Sequence, residues 1–499
     1  MRDRLAGLGA GLDDDLAVTT FHGLGLRILR EHAAAAGLPD SFGVADEAAL
    51  VRVATELTGS EREGRKLAGD PDARPALRAE LIARGLVDFD GLTELPAALL
   101  AREPQIAAGL RARWPFVSVD EYQDIDPVQY ELLRAIAGDG AGLTAIGDPD
   151  QSVYGFRGAD VGIFGRFAAD FPGATTVELT TNYRSSPAIV TAALQAIAPS
   201  TLVPSRAVAA AHADIPEPGD VSLHEAADEH AEAAWIAAAV DQLLGGASFH
   251  SLDSGRADGH GHGKLGLSDI AVLYRTDAQA AALGQALTRA GLPYQKRSHD
   301  RLARRPAVAD IVREMALVDP ARDVAGQLTA AVRSLAAARG ERDATVIDIR
   351  AAGEVLAPLA RRCGADAERF LTEISLGAET DALDPRAEAI PLLTLHAAKG
   401  LEFDVVFLAG CERGLLPLRL PGSGPLPPEQ AAEERRLLFV GMTRARGQLV
   451  LTCAARRNRH GTEEAAGRSP FLAAVSPGLL APAAPSRVRR PADRQLRLL

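Results

Sequence analysis

Cysteine is scarce: Cys363, Cys411 and Cys453 are the only three in 499 residues, and they lie far apart without metal-ligand spacing. That pattern argues against a disulfide framework and against a zinc site. No transmembrane run and no signal peptide are visible, so a cytoplasmic protein with no membrane partner is expected. No internal repeat of fixed period is evident. A further absence bears on chemistry: nowhere does the chain carry G-x-x-x-x-G-K-[ST], the loop whose backbone N–H groups cradle nucleotide phosphates.

What is present is a globular balance, with 47% hydrophobic and 24% charged residues. The length calls for two or more domains. A net charge of −12 and an isoelectric point of about 5.5 argue only superficially against nucleic acid. A binding groove needs a local basic lining, and polyanion affinity follows the charges that face the phosphates.

Two stretches carry the strongest chemical signal. Val117-Ser-Val-Asp120-Glu121-Tyr-Gln-Asp124 reads as a buried strand ending in two adjacent carboxylates. Ile146-Gly-Asp148-Pro-Asp-Gln151-Ser-Val-Tyr154-Gly-Phe156-Arg157 reads as a second strand running into a loop with acids, an amide, two aromatics and an arginine. In a nucleotide-driven motor, a strand-end carboxylate pair holds Mg²⁺ and orients the attacking water. A glutamine can sense the γ-phosphate, and aromatics with an arginine can touch bases. The chemistry points to a triphosphate coupled to a polynucleotide.

Along the chain, Thr19-Thr-Phe21-His22 opens an amphipathic helix with a capping threonine. Residues 45–113 read as helical, and 116–179 as short strands alternating with helices, the signature of a parallel α/β sheet. Strands are expected at 269–274, 390–395, 405–409 and 448–453, and helices at 278–290 and 429–444; residues 302–380 return to helix. The stretch 245–266 reads as a loop whose His250, His260 and His262 favour a solvated role over a metal site. From Ser469 onward a Pro-, Ala- and Arg-rich tail is expected to be disordered or a docking segment, with Arg487, Arg489, Arg490, Arg494 and Arg497 as an electrostatic brush.

The ordered set Thr20-Phe-His22, Asp120–Asp124, Gly147–Tyr154, Asn182-Tyr183-Arg184-Ser, Thr394-Leu-His396-Ala-Ala-Lys399-Gly-Leu-Glu402-Phe and Glu434–Ala445 resembles superfamily-one DNA helicases of the UvrD/PcrA/Rep type. The resemblance implies an α/β fold with two RecA-like parallel-sheet domains, each interrupted by a helical insertion. The implied division is 1–175 for the first RecA-like domain (insertion about 40–105), 176–300 with 386–468 for the second, a reduced helical insertion at 301–385, and a flexible basic tail at 469–499. It implies ATP and Mg²⁺ as cofactors, single-stranded DNA and single-strand/duplex junctions as partners, and ATP-dependent 3′-to-5′ translocation and unwinding in repair or replication.

The resemblance also assigns roles residue by residue. Asp120 would complete the Mg²⁺ shell and Glu121 would polarise the hydrolytic water. Gln151 would touch the γ-phosphate, and Arg184 and Arg444 would act as arginine fingers. Tyr183 would stack on adenine and Glu402 would hydrogen-bond the ribose. Phe21, His22, Tyr154, Phe156, Arg157, Thr394 and His396 match positions lining the DNA strand, with Phe21 and Phe156 equally readable as core residues. Lys399 would support its loop or a phosphate, and Asp88-Phe-Asp90 reads as structural.

Met1-Arg-Asp-Arg-Leu5 resembles the stretch just after the family's second block, so an N-terminally truncated chain without the phosphate loop is expected. Such a chain alone should bind ATP poorly and hydrolyse it negligibly. The missing segment, or a separate polypeptide or repair-protein partner, would restore the motor. The alternative is an ATPase-dead scaffold paralogue that binds DNA or a helicase partner.

Overall fold

The computed structural model describes residues 16–211, 220–245, 265–297, 305–319, 321–339, 344–376, 388–419, 424–459 and 462–483. The chain divides into two compact units. The first takes in residues 1–147, 156–175 and 300–383, the second 148–155, 176–299 and 384–499.

The first unit is mostly helical. Thr20 caps the helix Phe21–Glu31 by accepting a hydrogen bond from the Gly23 N–H, and the helix buries Leu26, Ile28 and Leu29. Gly25 lets it approach the helix Gly91–Arg102 closely: a Cβ there would stand 1.7 Å from the Leu92 carbonyl oxygen. Two short parallel pairs form, β1 (Gly43–Val44) with β2 (Leu86–Val87), and β3 (Val117–Val119) with β4 (Leu143–Ala145). Asp88, just after β2, accepts two hydrogen bonds from Arg78 and one from the Gly91 N–H. The Asp88-Phe-Asp90 block is therefore structural, as expected.

The helices Pro306–Met315, Val324–Arg339, Ala344–Cys363 and Ala367–Leu376 enclose a core of their own that includes Ile311, Leu328, Leu356 and Phe370. The helical character read for 302–380 is thus present. The alternation read for 116–179 holds only in part, because residues 174–180 carry no regular element and Val177 and Leu179 are exposed.

The second unit has a two-stranded parallel pair, β5 (Thr181–Asn182) with β6 (Ala209–Ala210). Its main sheet is built from β7 (Val221–Ala226), β8 (Ile270–Tyr274), β9 (Tyr294–Arg297), β10 (Ile390–Thr394), β11 (Phe403–Leu408), β12 (Ala445–Ala454) and β15 (Ala481–Pro482). The spatial order is β15-β7-β12-β11-β8-β10-β9, every pair parallel. A parallel sheet is covered on both faces, so its central strands are continuously apolar. The five residues of β8 are all buried, and helices Glu229–Leu243 and Gln279–Arg289 pack on one face. Helices Pro187–Ile197 and Pro428–Met442 pack on each other and on β12. The α/β fold class with parallel sheets is as expected.

An antiparallel hairpin, β13 (Arg456–Arg459) and β14 (Thr462–Ala465), follows β12. It is fastened by Arg457, which donates to the carboxylates of Glu232 and Glu412, all three side chains being under a tenth exposed. Glu232 also accepts from the Gly410 N–H at 2.9 Å and the Thr452 hydroxyl at 2.6 Å, and Glu412 from the Ala454 N–H at 2.8 Å. Burial pushes the Glu412 carboxyl up, and Arg457 offsets only part of that rise.

The tail expectation needs correcting at its start. Ser469 caps a short 3₁₀ turn, Phe471, Leu472 and Val475 are buried, and Arg435 lies 4.4 Å over the Phe471 ring. The apolar Phe471-Leu472 pair and the edge pairing of β15 with β7 fix this stretch. The arginines from Arg487 onward, and His250, His260 and His262, lie outside the described residues. Among the described residues no helix is long and apolar enough to cross a membrane.

Replacing Arg457 with leucine leaves two buried carboxylates facing each other without a cation. The expected loss is about 3–5 kcal/mol, read as a lower urea midpoint for the second unit's unfolding. A variant within about 0.5 kcal/mol of wild type, the range of an ordinary surface substitution, would contradict this account.

Candidate functional site

In the first unit, Asp120 and Glu121 follow β3 directly and both are exposed. The backbone places them firmly: Ile146 N–H donates to Val119 O at 2.8 Å and Tyr122 N–H to Ile146 O at 3.0 Å. Glu121 has φ of +53°, a left-handed conformation that costs a non-glycine residue about a kcal/mol or more. The Glu121 N–H donates to Asp120 Oδ1 at 3.0 Å, and the buried Gln123 carboxamide donates to Glu121 Oε2 at 2.5 Å. Gly147 leaves room for this, since a Cβ there would meet Gln123 Oε1 at 2.4 Å. Gln123 and Gly147 lie inside the quoted blocks, but the motif reading gave neither a role of its own. Their part depends on two loops meeting, which spacing does not reveal.

The candidates for nucleic-acid contact in the first unit differ in placement. Phe21 is half-buried and packs into two core clusters, so its ring is chiefly structural. His22 packs against Phe89 with ring centroids 3.8 Å apart and the planes tilted by 31°. Phe156 is 66% exposed, with the Arg157 guanidinium 5.6 Å over its ring. Of the two aromatics left open between core and surface, Phe156 is on the surface.

In the second unit the loop 148–155 is held residue by residue. Gln151 Nε2 donates to Asp148 Oδ2 at 3.0 Å, while Arg444 Nη2 donates to Gln151 Oε1 at 3.4 Å. Lys399 Nζ donates to the Gln151 carbonyl at 2.7 Å and lies 5.2 Å over the Tyr154 ring. Arg436 Nε donates to Ser152 O at 2.8 Å, Tyr154 Oη to His396 O at 3.3 Å, and Gly155 N–H to Glu433 at 2.9 Å. Gln151, Tyr154, His396, Lys399 and Arg444 are thus brought together. Thr394 accepts from the Ala397 N–H and shapes the turn that carries His396.

Arg444 is almost fully buried and also donates to the carbonyls of Val440 and Leu401. Arg184 lies in a second cluster: its Nε donates to Glu402 Oε2 at 2.5 Å and its Nη1 to Thr443 O at 3.4 Å. Glu402 Oε1 accepts from Arg446, which also reaches Asp404 at 3.3 Å. Tyr183, next in the chain to Arg184, is 77% exposed. Arg446 was not foreseen, and neither was Arg206, which donates to Asp148 and Asp150. Arg206 lies in a stretch, 201–206, that matches no motif, so only the three-dimensional contact reveals it.

The guanidinium of Arg446, with that of Arg184, holds the Glu402 carboxyl down to about 2, against an ordinary 4.5. A depressed carboxylate contributes stability that is complete above its unfolded value and lost as pH falls. Glu402→Gln should therefore melt below wild type at pH 7, and the gap should close between pH 4.5 and about 2. A gap constant across that window in thermal unfolding would refute the pairing.

Comparison with known proteins gives the family. Residues 71–172 match the UvrD/REP helicase N-terminal domain, and 177–347 with 360–456 match the UvrD-like helicase C-terminal domain. The chain is 34% identical over 438 residues to ATP-dependent DNA helicase UvrD2 of Mycobacterium tuberculosis, covering 83% of this chain and 58% of that protein. It is 28% identical over 601 residues to ATP-dependent DNA helicase PcrA of Bacillus subtilis, covering 96% and 78%. It is 29% identical over 580 residues to DNA helicase II of Escherichia coli, covering 93% and 77%. The chain therefore spans little more than half the length of the mycobacterial relative. With both domain models matched in order, the chain belongs to the UvrD/Rep helicase family.

Proposed function

We propose that this chain carries the greater part of an ATP-dependent DNA motor that moves 3′-to-5′ along single-stranded DNA and separates duplex at single-strand/duplex junctions. The observation that carries the reading is the seating of Gln151, whose carboxamide is held at one end by Asp148 and at the other by Arg444. A glutamine fixed in that way can register one hydrogen-bonding group, such as a γ-phosphate oxygen, and pass its loss to the loop that bears Tyr154. Membership of the family and the names of the relatives support ATP as the fuel and DNA as the track. Cytoplasmic action in repair or replication follows from the same reading.

In this reading Asp120 and Glu121 face the nucleotide's metal and water. Among the described residues no group of three or more His, Cys, Asp or Glu is placed to hold an ion by itself. Two adjacent carboxylates fit Mg²⁺, which keeps several waters and takes its other oxygens from substrate phosphates. The ion, when bound, neutralises phosphate charge. Asp120 offers it one oxygen, and Glu121, oriented by Gln123, accepts a proton from the attacking water. Tyr183 offers an exposed face for the base and Glu402 an acceptor for the ribose. Arg184 and Arg444 supply planar donors for the developing charge. On the DNA side, Tyr154, Phe156, His22 and His396, with Arg157 and Thr394, serve contact with bases and backbone; stacking accepts any base.

Two measurements test the reading. Tyr154→Ala should weaken oligo(dT) binding about tenfold, the low-to-middle range for loss of one stacked base, with the melting temperature unchanged; equal affinity would remove the DNA assignment. A polypeptide of these 499 residues, which contain no G-x-x-x-x-G-K-[ST] loop, should hydrolyse ATP negligibly even with oligo(dT) present. DNA-stimulated turnover that disappears in Glu121→Gln would overturn that expectation while supporting the role of Glu121.

A further inference from the structure

We infer that Arg206, which lies outside every family motif in the sequence, is the positioning residue of the loop 148–155: through Asp148 and Asp150 it fixes Gln151 and Tyr154 together. The inference rests on the function proposed above.

The contacts are dense. Arg206 Nη1 donates to Asp148 Oδ1 at 2.7 Å and to Asp150 Oδ2 at 3.0 Å, and Nη2 donates to Asp148 Oδ2. Asp150 has no exposed surface and also accepts from Thr201 Oγ1 at 2.5 Å and the Leu202 N–H at 2.7 Å. The Arg206 guanidinium lies 5.2 Å over the Phe439 ring and its side chain is 16% exposed. The stretch 201–206 is thus a receptor for the start of the loop.

Asp148 is the hinge of the argument, because the oxygen that takes Arg206 Nη2 also takes Gln151 Nε2. Burial raises the Asp148 carboxyl, but hydrogen bonds and charge from Arg206 outweigh it and keep the group below the usual carboxylate range. An ionised Asp148 accepts only, so it selects the NH₂ end of the Gln151 carboxamide and leaves the oxygen toward Arg444. Without Arg206 two carboxylates would stand close together, one fully buried, and both would lose the guanidinium that hydrogen-bonds them. Charge in that position must hydrate or move. The loop is short and its residues are bonded almost without a gap, so displacement at Asp148 carries through to Tyr154.

Lysine cannot replace this arginine well. The guanidinium is a planar fork that donates to both carboxylates and lies over Phe439, whereas an ammonium is a point charge. Arg206→Lys should therefore act in the same direction as Arg206→Gln and more weakly.

The test uses the full chain, with fluorescein-labelled oligo(dT) as probe, hydrogen exchange of the amides of 150–155, and circular dichroism to confirm folding. Arg206→Gln should raise exchange across 150–155 and weaken oligo(dT) binding about fivefold, within the range for one misplaced stacking partner. The double variant Arg206→Gln/Tyr154→Ala should bind no more weakly than Tyr154→Ala alone, because both changes act through one ring. Multiplying effects, or unchanged exchange and affinity in a folded variant, overturns the inference. If Tyr154→Ala leaves binding unchanged, the DNA reading fails; the positioning claim then stands or falls on the exchange of 150–155. Should Arg206→Gln not fold, Arg206→Lys carries the same comparisons.

Discussion

A fully buried carboxylate is expensive unless a cation and several donors meet it, and Asp150 meets that condition against the stretch 201–206. Its partners are Thr201, the Leu202 N–H and Arg206. That requirement pins the start of the loop 148–155 to the second unit, although the strand β4 that leads into it and the turn at Phe156 that leaves it belong to the first. The chain therefore passes from one compact unit to the other and back within one short loop. Every functional assignment in the loop inherits its position from this charge pairing. Gln151 is fixed because Asp148 is fixed, and Tyr154 because so little slack remains between them.

The nucleotide-facing candidates of the second unit are organised by the same logic with the signs exchanged. Glu402 is a single carboxylate serving two guanidinium groups, one of which is the proposed finger Arg184. An arginine on a surface would lose rotamer freedom each time it reached for a phosphate. Held at Glu402 and at the Thr443 carbonyl, Arg184 has already lost it. Arg444 is restrained more completely still, with backbone carbonyls on Nε and Nη1 and the Gln151 oxygen on Nη2. In the function proposed above, a side chain already restrained in this way would lose less rotamer freedom on meeting a phosphate.

Much of this was legible in the sequence where burial is two-sided. Ile270–Tyr274, Ile390–Thr394, Phe403–Leu408 and Ala445–Ala454 are inner strands of a parallel sheet, each paired on both sides, so their apolar runs read directly as strands with ends within about three residues. The outer strands were not legible. β7 carries Ser222, His224 and Glu225, β9 is Tyr-Gln-Lys-Arg, and β15 is an Ala-Pro pair. β9 lies at the sheet's edge, β15 is only two residues long, and β7 mixes polar with apolar residues. The hairpin Arg456–Ala465 is charged and forms because Arg457 finds Glu232 and Glu412, residues far away in the chain. The acid pair Asp120-Glu121 and the Gln151 loop were legible in placement, since an apolar strand followed by polar residues marks where the strand ends and the loop begins. Arg206, Arg446 and Gln123 were not, since an arginine or glutamine acquires meaning only from the carboxylate it meets.

Lys399 shows how one contact can join two tasks. Its ammonium donates to the backbone carbonyl of Gln151 and lies over the face of Tyr154. A cation held near an aromatic face is attracted by the ring's quadrupole, so the lysine restrains the ring while leaving its edge and hydroxyl to His396. The residue proposed to register phosphate and the residue proposed to stack on a base are thus gripped by one side chain, three positions apart in the chain. A shift of Gln151 on loss of its phosphate contact would pull on Lys399, and through it on the ring. Coupling of this kind needs no long pathway. It needs a short loop with few degrees of freedom, and the charges of Asp148 and Asp150 ensure that the loop has few.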